Sequence, residues 1–280
     1  MRKGIFLFIM ALLPWIAGAQ TAADSMAWAA VEWERTDLGQ GCTAAWAQFP
    51  IWDSMQSVSV VRYPARRMRT AFVHAPGELA ATTDSLARRE GARFALNGSY
   101  FNMRRLIPHT FFSLNHEVVG QTPVSELGRS NGVLALRDRK GHRMKILPYD
   151  STHVETYRRH YYAALASGPI LVQDGAVPEF PTEVTFYLMR HPRTFLGWDK
   201  HRNVYLVVVD GRFPGQADGM SIPELAALAR LLGLKEAINL DGGGSSTLWT
   251  DRTGILNHPF DNHAFDHAGA RVVPNILIVR

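Results

Sequence analysis

Only one cysteine, Cys42, occurs in the 280 residues, so no internal disulfide can form and a disulfide-stapled scaffold is excluded. Stability must come from an ordinary apolar core. Cys42 itself reads as a small buried hydrophobe, with a free thiol on a loop as the alternative. Long apolar runs are equally scarce. The one present, Ile5 to Ile16, is shorter than the roughly 20 residues that a bilayer-crossing helix needs, so no stable membrane insertion is expected. A large excess of one charge is missing too, with 30 Lys and Arg against 25 Asp and Glu and a net charge of +5. The basic pairs Arg66-Arg67, Arg88-Arg89, Arg104-Arg105 and Arg158-Arg159 are scattered. They read as solvated surface and not as a nucleic-acid footprint. No zinc signature links His191, His258, His263 and His267, which read as polar loop histidines. There is no fixed-period repeat, no low-complexity tract and no linker, and no signal of oligomeric state. One domain over residues 20–280 is the expectation.

The chain starts with the basic Met1-Arg2-Lys3, continues into the apolar run and reaches the small residues Ala17-Gly18-Ala19 before Gln20. This reads as a signal peptide over residues 1–19, and places the mature protein in the periplasm or outside the cell. Taking Arg2 and Lys3 from the balance leaves only a mild positive excess.

What is present points to strands. Gln56 to Tyr63 alternates apolar and polar residues, and Met68 to His74 suggests another strand. Thr83 to Leu86 opens a helix, with Asp84 or Ser85 as the expected cap and Gly91 as the stop. Thr110 to Val119 and Gly132 to Leu136 read as a meander, with turns at Asn115-His116 and Asp138 to Gly141. Ser167-Gly168-Pro169 interrupts an apolar stretch, so a bend is expected there. Asn203 to Val209 is apolar on both faces and reads as a central strand. Ser221-Ile222-Pro223-Glu224 carries a capping box with proline just inside. A helix to Gly233 follows, and Val272 to Val279 closes the chain as a strand.

The stretch around which these elements are arranged is Ala237 to Thr247. A short apolar strand runs into Asp241, three glycines and three hydroxyl residues. Consecutive glycines let a backbone come close to a ligand, and exposed amides in such a turn form an anion-binding concavity. Ser245, Ser246 and Thr247 add donors for phosphate or sugar oxygens. The alternative is a tight turn capped by Asp241. Arg93 to Asn102 has the same form, with a strand running into Asn97-Gly98-Ser99. The two ends would meet at one site, although Asn-Gly alone is also a hairpin signal.

Taken together, several blocks resemble the phosphodiester glycosidase family. They are Asn97 to Phe101, Ser167 to Val172, Pro192 to Gly197, Val207 to Arg212, Gly219 to Ala226, Asn239 to Thr247, and Arg271 before the last strand. Two positions depart: Ser99 has no neighbouring glycine beyond Gly98, and Ala270 stands where the family often has glutamate. The resemblance implies an α+β fold with a strongly bent, mostly antiparallel sheet and packed helices. It also implies cleavage between a sugar's anomeric carbon and a phosphodiester oxygen, the sugar being N-acetylglucosamine in one branch of the family.

For such chemistry, Arg193, Arg212 and Arg271, with the amides of Gly242, Gly243 and Gly244, are the expected phosphate holders. Asp241 and Asp210 are the expected catalytic carboxylates, one facing the anomeric carbon and the other moving a proton. Asn97, Gly98, Ser99, Thr194, Asn239, Ser245, Ser246 and Thr247 would orient a carbohydrate or phosphoglycan. Each has a plainer alternative, Asp210-Gly211-Arg212 as a turn with a local ion pair and Asn239 as a backbone satisfier. No cofactor is demanded. Calcium or magnesium at Asp210 or Asp241 stays open, and with it metal-dependent cleavage of the P–O bond. Glycan binding without turnover is the third reading.

Overall fold

The computed structural model describes residues 22–280; the signal-peptide reading at 1–19 lies outside them. Every strand pairing among the named strands is antiparallel, and the strands form three principal sheets and two short ribbons. The mostly antiparallel pairing with a few helices agrees with the expected α+β arrangement, while the strands divide among several sheets where one bent sheet was expected.

The largest sheet has seven strands, in the spatial order Glu34–Gly39, Cys42–Ile51, Ser54–Pro64, Asn203–Val209, Arg193–Asp199, Leu234–Asn239 and Ile170–Val172. Asn203–Val209 is its middle strand, as its two apolar faces required. Leu206 and Val208 enter a core shared with Leu134, Leu165, Phe94 and Leu277 of the other two sheets. Val207 and Val209 face the helix Ile222–Leu231 through Leu225, Leu228 and Ala229. Full burial of each such side chain is worth roughly 1.5–3 kcal/mol. That helix begins with the expected box, in which Ser221 Oγ accepts the Glu224 N–H while the Glu224 carboxylate accepts the Ser221 N–H. Cys42 is fully buried in the shared core.

The bend at Gly168 moves the chain between sheets. Ala163–Ser167 belongs to a five-stranded sheet, and Ile170–Val172 to the seven-stranded one. Gly168 has φ +151°, a conformation L side chains rarely adopt, and a Cβ there would stand 2.7 Å from the Arg129 carbonyl.

Two local readings change. The helix Thr83–Arg89 is preceded by Thr82, so Asp84 and Ser85 lie inside its first turn. Thr82 Oγ1 instead reaches the Asp84 carboxylate at 2.6 Å. Asn97-Gly98 makes no hairpin. Phe94–Asn97 is the middle strand of the third sheet, paired with Leu248–Thr250 on one side and Asn275–Val279 on the other. The closing strand is split at Pro274 into Val272–Val273 and Asn275–Val279.

Strand direction gathers the motif ends. Arg193–Asp199 runs opposite to both its neighbours, with Arg193 facing Val209 and Phe195 facing Asn239. The start of one strand therefore lies beside the ends of two others, which brings Arg193, Asp210 and Asp241 to one edge. The tip of Phe94–Asn97 joins them, because the Asp241 N–H donates to the Gly98 carbonyl at 3.0 Å and Asn97 Nδ2 donates to the Asp241 carbonyl at 2.7 Å.

Candidate active site

At that edge opens a cavity of about 250 Å³, whose lining includes Asp241, Gly242, Gly243 and Gly244 together with Arg129, Arg193, Arg212 and Arg271. Asp241 is the one carboxylate in the lining. His191, Asn239, Tyr100 and Phe186 complete most of the wall.

Asp241 is half-buried, and its Oδ1 accepts the Gly242 N–H at 3.0 Å. Burial pushes its carboxyl above the usual range, opposed by the nearby Ser245 hydroxyl, by Arg129 and Arg271, and by the Gly242 amide. The arginines are held in four different ways. Arg129 pairs with Glu126 at 2.6 Å and lies over the Tyr100 ring, 4.3 Å from its centroid. Arg271 grips Asp261 with Nε and Nη2. Arg212 has φ +67° and lies over Phe260, 5.3 Å from its centroid. A positive φ on a non-glycine residue is uncommon and concentrates at ligand sites. Arg193 is only 3% exposed, and burial pulls it down to about 10, which still leaves it charged at neutral pH.

The glycine bend binds less freely than its sequence suggests. The Gly242 N–H is taken by Asp241, and the Gly243 N–H donates to the Pro192 carbonyl at 2.8 Å. Gly244 is itself buried and lines the cavity. Gly243 has φ +62°, and a Cβ on it would meet Arg212 Nη2 at 3.3 Å.

Several expected substrate-binding residues turn out to support this cavity from behind. Asn97 Oδ1 accepts from Thr194 Oγ1 at 2.9 Å and from the Thr247 N–H at 3.1 Å. Both side chains are fully buried. Ser99 Oγ is spent on the Ala166 carbonyl at 2.5 Å, with Thr110 beside it, so the hydroxyl does not reach the cavity. Gly98 has no space for a side chain, because a Cβ would overlap Asn275 Oδ1. Ser246 and Thr247 are buried and outside the lining. Arg193 spends three N–H groups on the carbonyls of Met220, Phe186 and Met189. Its role is therefore partly to hold the wall that carries Phe186. Asn239 does line the cavity. Its Nδ2 donates to Gly168 O and Tyr100 Oη, while its Oδ1 is buried without a partner.

Asp210 requires the plainest correction. It is 1% exposed and absent from the lining. Its two oxygens accept from Ser57 Oγ at 2.6 Å, the His258 N–H at 2.8 Å, Asn257 Nδ2 at 3.0 Å and His258 Nδ1 at 3.0 Å. Four donors saturate a buried carboxylate, which ties the Asn257-His258 turn to the strand Ser54–Pro64. Nor does Asp210 pair with Arg212.

His258 instead borders a separate cavity of about 320 Å³, with Glu34, Thr36, Trp46 and His267. That space has no arginine in its lining, so it lacks the charge a phosphate needs. Among the described residues, no group of three or more His, Cys, Asp or Glu side chains could hold a metal ion. Around Asp241 the neighbours are guanidinium groups, which repel a divalent cation.

Sequence reasoning missed Arg129, Tyr100, Phe186 and His191. Tyr100 lies inside the Asn97 to Phe101 block and His191 beside Pro192-Arg193, so membership of or proximity to a motif was a usable signal. Arg129 sits in a turn and Phe186 in the four-residue helix Thr185–Leu188, with no motif near either.

Residues 90–280 match a family model described as phosphodiester glycosidase. No curated protein sequence matches the chain. Among solved structures, the catalytic domain of zebrafish N-acetylglucosamine-1-phosphodiester alpha-N-acetylglucosaminidase, auto-inhibited by its pro-peptide, is similar with TM-score 0.66 and 18% identity, covering 89% of this chain and 88% of that one. A hypothetical protein from Synechocystis gives TM-score 0.66 and 16% identity over 89% of this chain, which spans 63% of that longer chain. A Burkholderia pseudomallei protein, named for its expected export, gives TM-score 0.58 and 16% identity over 82% of this chain and 75% of that one. At these identities the likeness is one of fold.

Proposed function

The chain belongs to the phosphodiester glycosidase family, and from that premise and the charge of its cavity we propose that it hydrolyses the bond between a sugar's anomeric carbon and a phosphodiester oxygen. The carrying observation is a single carboxylate, Asp241, set among four guanidinium groups in one space of about 250 Å³. A phosphodiester is an anion whose oxygens match the guanidinium fork. Hydrogen bonds to charged groups of this kind are worth roughly 1.5–3 kcal/mol each. Arg129, Arg212 and Arg271 hold the phosphate, and Arg193 adds its charge from within the wall.

Tyr100 and Phe186 offer an aromatic surface to the apolar face of a sugar ring. Asp241 then faces the anomeric carbon and stabilises the positive charge that develops there. The departing phosphate oxygen takes the bonding electrons, and the arginines stabilise the charge it gains. A phosphomonoester leaves without strong acid assistance, which suits a site with one carboxylate better than a template needing two. The substrate class is a carbohydrate bearing a phosphodiester, with N-acetylglucosamine as the sugar and an exported glycan or glycoconjugate as its source. The N-terminal reading supports a periplasmic or secreted enzyme.

The test is product identity. Purified protein is incubated with a sugar-1-phosphodiester, beside the Asp241→Ala variant. Free sugar and phosphomonoester from the wild type alone support the reading. Sugar-1-phosphate as product means P–O cleavage and rejects it, and equal turnover by the variant rejects the role of Asp241.

A further inference from the structure

With Asp210 outside the cavity, Asp241 is the one carboxylate among its described lining residues, and the nearby Asp261 is spent on Arg271. His191 occupies the wall instead. Its backbone is fixed in a two-way bridge, the N–H donating to Met220 O at 3.2 Å and its carbonyl accepting the Met220 N–H at 3.1 Å. Gly211 and Gly219 pack against that backbone so closely that a Cβ on Gly219 would stand 2.5 Å from the His191 carbonyl oxygen. Pro192 follows directly. The ring thus projects from a rigid stretch into the cavity shared with Asp241.

The imidazole has an unusual set of neighbours. Nδ1 is buried with no hydrogen-bond partner, and orphaned buried polar atoms call for a functional explanation. Among the described residues no carboxylate pairs with the ring; the charged groups that act on it are Arg193 and Arg212. Beyond them the cavity holds Arg129, Arg271 and Asp241. Burial and then the two nearby guanidinium charges hold its pKa below the ordinary histidine value, so the ring is neutral near pH 7. Tyr100, the hydroxyl-bearing side chain of the described lining, has that hydroxyl bound to Gly168 O at 2.6 Å, and burial pushes its pKa upward.

Resting on the glycosidase reading above, we propose that His191 is the general base that activates the attacking water. One O–H proton of the water passes to the imidazole as its oxygen bonds to the anomeric carbon. The carbon's bond to the phosphodiester oxygen breaks, that oxygen keeps the electron pair, and the imidazolium then returns its proton to solvent. Asp241 remains the charge stabiliser, so the two titratable groups have separate tasks.

The test uses the full chain with a sugar-1-phosphodiester. His191→Gln is expected to lower kcat by about 10²- to 10⁴-fold, the range for a lost general base. KM should change little, and imidazole added to His191→Ala should restore part of the rate. In the wild type, kcat/KM should fall as pH drops through a value below about 6.5, and this limb should vanish in His191→Gln. An unchanged kcat, a change in KM alone, or survival of the limb in the variant overturns the proposal. If His191→Gln does not fold, the wild-type profile decides, since a rate with no such limb also overturns it. A wild type that releases no free sugar removes the glycosidase reading itself, whereas an active wild type with an unaffected variant removes only the role of His191.

Discussion

Gly244 lies so close to Arg271 that a Cβ on it would stand 2.3 Å from Nη2 of that arginine. The same Cβ would overlap Oδ1 of Asp261, the partner that holds Arg271 in place. Glycine here is demanded by a neighbouring ion pair and not by backbone twist. Gly244→Ala should therefore push Arg271 away from the cavity and cost about 1–3 kcal/mol of stability, as overpacking does. Steady-state kinetics should show KM raised tenfold or more, and a thermal melt should show a lower Tm. A variant with unchanged KM would mean that Arg271 does not hold substrate.

Asp210 and Asp241 end neighbouring motifs, yet their substitutions should behave differently. Asp210→Asn replaces an acceptor surrounded by four donors with a group that is itself half donor. Breaking a buried, fully bonded carboxylate in this way should cost about 3 kcal/mol or more. The folded fraction should keep kcat within a few-fold of wild type when activity is measured well below Tm. A large loss of kcat in a fully folded Asp210→Asn protein would return Asp210 to the chemistry.

Asp241→Asn should do the reverse, lowering activity while raising stability at neutral pH. Burial lifts the native carboxyl above its ordinary value of 3.8. Between that value and the raised one the folded state binds more protons than the unfolded, so stability falls as pH rises through this window. Above the window the full cost of ionising the buried group is present. The variant lacks that cost. Its Tm should exceed the wild type's at pH 7, and the gap should close as pH falls below both values. Equal Tm values across the whole range would mean that Asp241 carries no such strain.

Arg129 was invisible in the sequence and offers a separate check. Arg129→Ala removes a guanidinium that lies over Tyr100 and lines the cavity. The loss of one charge-assisted contact, roughly 1.5–3 kcal/mol, predicts a rise in KM of about ten- to a hundredfold. Arg129→Lys should recover only part of it, because the ammonium has no fork. Titration with a non-hydrolysed phosphodiester would measure the same loss in affinity.

What the sequence revealed follows from what periodicity and punctuation encode. Asn203–Val209 declared its central place through two apolar faces, Ser221 and Glu224 declared a helix start, and Gly168 declared a bend, though not that the bend changes sheets. Asp241 and its glycines were legible because few uses exist for a carboxylate and three glycines after a buried strand. The roles of single side chains were not legible. Asp210 and Asp241 look alike in sequence, and only the four donors around one of them tell them apart. Ser99 has the residue type of a ligand donor, yet its hydroxyl is spent on the Ala166 carbonyl. Arg129, Phe186 and His191 come from a turn, a four-residue helix and an isolated bridge, short pieces whose positions are set by distant contacts such as the His191–Met220 pairing.

The most direct test of the arginine cavity and its single acid is hydrolysis of a sugar-1-phosphodiester in water enriched in oxygen-18. Attack at the anomeric carbon predicts the heavy oxygen in the released sugar, with the phosphomonoester unlabelled. Label recovered in the phosphate would mean attack at phosphorus and would contradict the account.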